Sequence, residues 1–292
     1  MNALKCERAA AAALLCAAAL LGSSCREAAA PSNAPAGVAA ASPSPAAGAG
    51  DPFAGTLVDL SHPYDAQTIY WPTAEEFKLN KVAEGVTPQG YYYAANTFST
   101  AEHGGTHIDA PVHFAEGHHT VDQIPLEQLI GQGVVVDVTA QCATNADYQI
   151  NVADFERWER EHGELPRGAI VLLRTGYGKL WPDRKKYLGT DERGEAAVAK
   201  LHFPGLAPDA ARWLASNRSI KAVGLDTASI DYGQSTQFES HRALFDKNIP
   251  ALENLAPLDA LPASGFHVVA LPMKIGGGSG GPVRAVAFVT RR

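Results

Sequence analysis

Three histidines and one carboxylate fall within eleven residues, in the run His103-Gly-Gly-Thr-His107-Ile-Asp109-Ala-Pro-Val-His113. Of the ten histidines in the chain, five lie between His103 and His119. Any one of them alone would read as a hydrogen-bonded structural residue. A divalent transition metal gives a reason for the cluster, because it needs several imidazole and carboxylate ligands converging on one point. Such an ion lowers the pKa of a coordinated water from near 16 to about 7, which makes a nucleophile available to a carbonyl at neutral pH.

The local pattern sets the geometry. Thr106 and Ile108 are β-branched, so Thr106 to Asp109 has strand character. Alternate side chains of a strand share a face, which points His107 and Asp109 the same way. Gly104 and Gly105 let the backbone bend between His103 and His107 and leave room for an ion. Pro111 breaks regular structure and lets His113 swing back over the same place. Two glycines in this short span disfavour a helix, so the spacing is not that of the helical His-Glu-x-x-His zinc sites. His118 and His119 follow Gly117 and read as loop-surface residues outside the ligand set.

This signature, with Phe114 after His113, resembles that of the metal-dependent cyclase-like hydrolases of the kynurenine formamidase and isatin hydrolase type. Further segments agree in order: Val58-Asp59-Leu60-Ser61-His62, Leu172-Leu173-Arg174-Thr175-Gly176, and Gly224-Leu225-Asp226-Thr227-Ala228-Ser229-Ile230-Asp231. Pro272-Met273-Lys274 and Gly281-Pro282-Val283-Arg284-Ala285 complete the likeness, which covers roughly residues 55 to 292. Glu102 through Gly117 and Thr120-Val121-Asp122-Gln123-Ile124-Pro125 are more similar to the isatin-hydrolase branch.

The resemblance implies further ligands downstream. By residue type alone His241, His202 and His267 are equivalent candidates; the resemblance selects His241, followed by Glu253. It implies that His103, His107 and Asp109 hold one ion, zinc or manganese. Asp109 and Glu253 would bridge to a second ion that His241 also binds, although a single ion is compatible with it. Glu253 is expected in a loop just beyond Pro250. The resemblance gives His113 the part of base and then acid toward the leaving nitrogen, for which an unperturbed pKa near 6.5 is suited. It places Trp71, in Tyr70-Trp71-Pro72, where a tryptophan stacks on substrate. Tyr64, Tyr70, Trp71 and Tyr91 to Tyr93 would then supply an aromatic wall for a flat aryl or lactam substrate. Asp226 either accepts a hydrogen bond from a ligand imidazole or ties a turn.

Two motifs are decoys. Gly277-Gly278-Ser279-Gly280-Gly281 formally matches the G-x-S-x-G nucleophile elbow. That motif needs a helix after it and a histidine later in the chain, whereas Pro282 and a β-like run follow here. Nor does Gly-Lys-Ser/Thr follow, so these glycines do not form a phosphate loop. They read as a flexible loop whose backbone approaches the site or a neighbouring subunit.

Short apolar, β-branched runs at Leu57 to Leu60, Val134 to Val138, Ala169 to Leu173, Lys221 to Leu225, His267 to Leu271 and Arg284 to Val289 predict strands, with Tyr91 to Phe98 a further one. Val152, Phe155 and Trp158 recur at helical spacing, and Pro208 suits the first turn of another helix. The class is α/β in a single domain; the resemblance implies a mixed sheet of the swivelling β/β/α type, in a dimer or tetramer. The chain carries 46% hydrophobic residues and a net charge of -7. That composition suits a globular core and a small-molecule substrate, with no nucleic-acid partner.

The amino-terminal stretch stands apart. Lys5 and Arg8 precede a short apolar run, Ala9 to Leu21, so residues 1–25 read as a bacterial export signal. Cys25 follows Leu21-Gly22-Ser23-Ser24, which resembles a lipoprotein processing site; cleavage near Ala28 to Ala30 is the alternative. Residues 26–52 are rich in Ala, Pro, Ser and Gly and read as a flexible tether to a domain at 53–292. The expected location is the periplasm, or the membrane surface through a lipid on Cys25. Only Cys142 of the four cysteines lies in the domain, so it contains no internal disulfide. Two functions follow: an exported metal-dependent amidohydrolase for non-peptide C–N bonds, or an exported metal- or small-molecule-binding protein without turnover.

Overall fold

The apolar runs form the strands of one curved sheet in a computed structural model that describes residues 55–256 and 258–290. In chain order the strands are β1 Thr56–Asp59, β2 Lys78–Val86, β3 Tyr92–Ser99, β4 His107–Asp109, β5 Ile130–Asp137 and β6 Gln149–Ile150. They continue with β7 Ile170–Arg174, β8 Gly205–Leu206, β9 Ala222–Leu225, β10 Ala251–Glu253, β11 Phe266–Pro272 and β12 Gly280–Val289. Eight of these form a mixed sheet in the order β1-β12-β11-β5-β7-β9-β10-β4. β12 also pairs with β4, so the sheet curls round on itself like a barrel. β5, β7, β9 and β10 run parallel to one another. The pairs β5–β11, β11–β12, β12–β1, β12–β4 and β4–β10 are antiparallel. The expected mixed-sheet α/β domain is the observed one.

The parallel strands are buried on both faces, which is why their sequences are continuously apolar instead of alternating. Val135, Ile170, Leu172 and Ala222 pack inward with Ile108, Leu252, Phe266, Val268 and Ala285. Val134, Val136, Val171, Leu173, Val223 and Leu225 point outward and are covered by Phe155, Trp158, Ala210, Leu214, Leu244 and Phe245. Each fully buried Val, Leu or Phe contributes about 1.5–3 kcal/mol. The covering residues lie on the helices Val152–His162, Pro208–Asn217 and Glu239–Phe245. The first begins with a capping box, in which Asn151 accepts from Ala153 N and Asp154 accepts from Asn151 N. Pro208 opens the second, as its fixed φ predicts.

Cys142 is buried and free, and burial pushes its thiol up to about 12, so it is a packing residue. The export signal, the tether and Cys25 lie outside the described residues.

Candidate metal centre

The strand pairing brings the distant candidate ligands together. β10 lies between β9 and β4, with Glu253 directly opposite His107 and Ala251 opposite Asp109. Leu252 and Ile108 turn into the core, which leaves His107, Asp109 and Glu253 on the other face. The expectation of a loop at Glu253 is therefore corrected: the residue ends a three-residue strand. Pro250 can precede that strand because its carbonyl still accepts from Val223 N, while Pro itself needs to donate nothing. Glu253 sits at the carboxyl end of a parallel strand, the usual place for a site in an α/β sheet.

His241 arrives on the first turn of the helix Glu239–Phe245. Asp231 fixes it. Its carboxylate accepts from the backbone N–H groups of Ser240 and His241, both at 3.1 Å, and from His241 Nδ1 at 2.6 Å. The ring's Nε2 then lies 3.2 Å from both Asp109 Oδ2 and Glu253 Oε1. Glu253 Oε1 is held in place by accepting from Ile230 N at 2.7 Å. Asp226 does not touch a ligand. It accepts from Thr175 N, Thr175 Oγ1 and the N–H groups of Gly176 and Gly178, so of its two expected roles it takes the turn. Asp231, five residues later, takes the other; an aspartate paired with a histidine ten residues on left no local signal.

The loop before β4 is shaped by aromatic rings. A Cβ at Gly104 would stand 2.0 Å from the Tyr70 ring, and one at Gly105 would stand 2.7 Å from the Tyr64 ring. The room the two glycines leave is thus taken by tyrosines and not by an ion. Gly105 has φ 58, and its carbonyl accepts from His107 Nδ1 at 2.9 Å. A carbonyl can only accept, so Nδ1 carries the proton and Nε2 is free to act as a ligand.

Whether a cation fits can be judged from that Nε2. It is buried and has no hydrogen-bond partner, although it lies 3.1 Å from Asp109 Oδ1 and 3.4 Å from Glu253 Oε2. A buried lone pair facing two carboxylates is costly unless a positive charge stands between them. His103 Nδ1 likewise lies 2.6 Å from Asp109 Oδ1. Two ligand groups result, His103–His107–Asp109 and Asp109–His241–Glu253, each with its donor atoms within 4.8 Å of one another. Asp109 belongs to both.

The electrostatics agree. Burial alone would raise the Asp109 carboxyl, but the imidazoles facing it, His103 first and then His107 and His241, hold it well below the usual range. Burial and then the charge of Asp109 raise Glu253. Burial works against the charged forms of His107 and His241, yet the surrounding carboxylates raise both. These are the signs of a pocket that draws positive charge.

His113 ends the turn Pro111–His113 and stacks on His103, with centroids 3.8 Å apart at 17°. Burial pulls its pKa down to about 4, so it is neutral at pH 7 and the unperturbed value near 6.5 does not apply. Above the ligands opens a cavity of about 290 Å³. Its walls include Ile69, Tyr70, Trp71, Phe114 and Phe238, with His113 among the residues that line it. Trp71 is braced by Phe203 and Phe238, each with centroids 6.4 Å away. Tyr91, Tyr92 and Tyr93 are exposed at the β2–β3 hairpin and take no part in the wall. Phe238, four-fifths of the way along the chain, replaces them. Of the other histidine candidates, His202 pairs with Asp147 on the surface and His267 lies on β11. His118 is bonded to Asp246 O, outside the cluster.

Comparison with known proteins accords with this geometry. The chain is 33% identical over 222 residues to the isatin hydrolase of Roseibium aggregatum, covering 73% of this chain and 81% of that protein. It is 31% identical over 230 residues to the kynurenine formamidase of Salinibacter ruber, covering 79% and 96%. The solved structure of isatin hydrolase A from Labrenzia aggregata, bound to benzyl benzoate, superposes with a TM-score of 0.73 at 33% identity, over 81% of this chain and 94% of that one. The family model named Cyclase matches residues 58–232, a span that holds the whole His103–His113 run and the Asp231 that orients His241, and the chain belongs to that family.

Proposed function

We propose that the protein hydrolyses a non-peptide amide C–N bond in a small, flat aryl substrate, a lactam or an aryl formamide, with one or two divalent ions, zinc or manganese. The observation that carries this reading is the pair of ligand groups sharing Asp109 at the floor of an aromatic-walled cavity that His113 also lines. An ion held there supplies a Lewis acid and a water of lowered pKa. The chain's own residues do the rest. Trp71, Phe114 and Phe238 offer apolar faces to a planar ring and exclude water around it. His113, neutral above about pH 4, can accept a proton, and its conjugate acid is strong enough to hand that proton to the departing nitrogen. Among the described residues no lysine or arginine lines the cavity, so no side-chain cation awaits a substrate carboxylate. This favours an uncharged lactam over a formamide that carries an amino-acid group. The amino-terminal signal would place the chemistry outside the cytoplasm, with Cys25 as a lipid anchor.

The test is a metal analysis of the purified full chain paired with a substrate panel. Chelation should abolish hydrolysis, and zinc or manganese should restore it. Full turnover in a demonstrably metal-free preparation would refute the reading. Retained metal with no hydrolysis of lactams, formamides or esters would establish the binding-only alternative.

A further inference from the structure

The Gly-rich segment, read from sequence as a loop approaching the site or a neighbouring subunit, touches the candidate metal centre from behind. Ser279 Oγ lies 2.8 Å from His103 Nε2 and 2.6 Å from Glu102 Oε2. Ser279 N also donates to the same Glu102 oxygen at 3.0 Å. A hydroxyl has one proton, and the carboxylate can only accept. The hydroxyl proton therefore goes to Glu102, and the remaining acceptor capacity of Oγ takes the Nε2–H of His103. That assignment places a proton on Nε2 of His103 and leaves Nδ1, 2.6 Å from Asp109 Oδ1, as the nitrogen turned toward the cluster, where a cation would take the place of its proton. The result is a one-way chain, His103 to Ser279 to Glu102, which extends the common carboxylate–histidine–metal arrangement by one hydroxyl.

The backbone holds Ser279 in place. Ala110 N donates to Ser279 O at 2.8 Å, Val121 N to Gly278 O at 2.9 Å, and Gly277 N to Asp122 Oδ1 at 3.0 Å. β12 begins at the next residue, paired to β4, with Gly280 opposite Asp109. The segment is thus pinned to the metal-bearing strand and is not the flexible loop its composition suggested. The glycines permit the approach. A Cβ at Gly280 would stand 2.6 Å from both His103 Cε1 and Ile108 O, and one at Gly278 would stand 2.7 Å from Glu102 Oε1.

We propose that Ser279, backed by Glu102, is a positioning residue that sets the tautomer and orientation of His103 as a metal ligand; this rests on the metal-dependent reading above. The rival is a serine nucleophile, since Ser279, His103 and Asp109 form a hydrogen-bonded series. Ser279 does not line the cavity, and its proton is committed to Glu102 and not to the imidazole. A nucleophile needs the opposite polarity.

The experiment titrates zinc against a competing chelator, and records the cobalt(II) visible spectrum, for the full-length protein and the variants Ser279→Ala, Ser279→Thr and Glu102→Gln. Ser279→Ala should weaken zinc binding by roughly 10–100-fold, the usual scale for losing such a partner, and should shift the cobalt spectrum. Ser279→Thr, which keeps the hydroxyl, should restore most of the affinity. Glu102→Gln, which keeps an acceptor but not its charge, should fall between. Unchanged affinity and spectrum in Ser279→Ala would overturn the inference. So would equal losses in Ser279→Ala and Ser279→Thr, which would mean the position matters for space and not for the hydroxyl. Unchanged affinity with turnover abolished at saturating metal would instead establish the nucleophile. A wild-type protein that binds neither zinc nor cobalt would defeat the metal reading itself and this inference with it.

Discussion

Glu253→Gln separates a ligand carboxylate from an ordinary buried acid, because the two roles predict opposite signs. Glu253 Oε1 keeps its backbone donor, Ile230 N at 2.7 Å, if the amide oxygen takes that place. The amide nitrogen then faces His107 Nε2, 3.4 Å away in the wild type, and occupies the lone pair that a metal would use. One negative charge is lost as well. With an effective dielectric of about 20, a carboxylate about 4 Å from a dication is worth roughly 8 kcal/mol, and its repulsion with a second carboxylate at similar range takes back roughly 4. The net of roughly 4 kcal/mol is close to three decades of affinity. Allowing for relaxation, zinc or manganese binding should fall by about 10²–10³-fold, with turnover falling alongside. Without metal the sign reverses. Burial and Asp109 both disfavour ionised Glu253, so the neutral amide should leave the metal-free Tm unchanged or raised. Chelator-competition titration and calorimetry with and without EDTA measure the two effects. Wild-type stoichiometry, affinity within threefold and normal turnover in Glu253→Gln would show the residue to be no ligand at all.

Three other outcomes are expected. His107→Ala should lose metal and activity together, whereas His113→Ala should keep most of its metal and lose turnover by roughly a hundredfold or more; a metal-free His113→Ala protein would move His113 into the ligand set. His62 stacks on Trp181 at 4.1 Å, and burial, only partly offset by Asp59, lowers its pKa to about 4. Its neutral form is thus favoured by folding, a contribution present above pH 6.5 and lost as pH falls toward 4; His62→Phe should show a shallower fall of Tm across that window, and an identical pH profile would contradict the assignment. On the β2–β3 hairpin, Leu79 faces Phe98 and Val86 faces Tyr92, all more than half exposed. They form an apolar strip on one face of the exposed hairpin, so a second copy is expected to cover it. Sedimentation should give an oligomer that Tyr92→Asp and Phe98→Asp dissociate, and a wild-type monomer at micromolar concentration would exclude it.

What the sequence disclosed follows the range of the physics involved. β5, β7 and β9 were legible because strands buried on both faces are continuously apolar, and β11 because Phe266, Val268 and Ala270 line the core within an apolar run. β2 was not, because every residue from Lys78 to Lys81 is exposed and carries no alternation. β10 is three residues long and owes its existence to pairing with β9 and β4, partners far away in sequence. The same division runs through the site. The His103 to His113 run declares itself because four residues of metal-ligand type crowd into one segment. His241 and Glu253 were reached only by resemblance. The residues that hold the ligands, Asp231, Ser279 and Glu102, carry no local signature, since a single hydrogen bond across a long loop leaves no periodicity to read.

Those unread residues share one task. Asp109 and Glu253 are nearly inaccessible, and so are the imidazoles of His107 and His241. Such a cluster is costly to desolvate, and its imidazoles could each turn either nitrogen inward. The structure removes that choice at every histidine. Gly105 O holds Nδ1 of His107, Asp231 holds Nδ1 of His241, and Ser279 holds Nε2 of His103. His103 therefore presents the opposite nitrogen from the other two, which follows from its approach along the loop before β4, behind which Ser279 stands. Each ring then turns its other nitrogen toward Asp109, within 3.2 Å of one of its oxygens. A site organised by three independent acceptors, drawn from a backbone carbonyl, a carboxylate and a hydroxyl, is ordered before any ion arrives. The entropic cost of gathering ligands is met during folding, so metal affinity should depend on these three acceptors as well as on the ligands themselves.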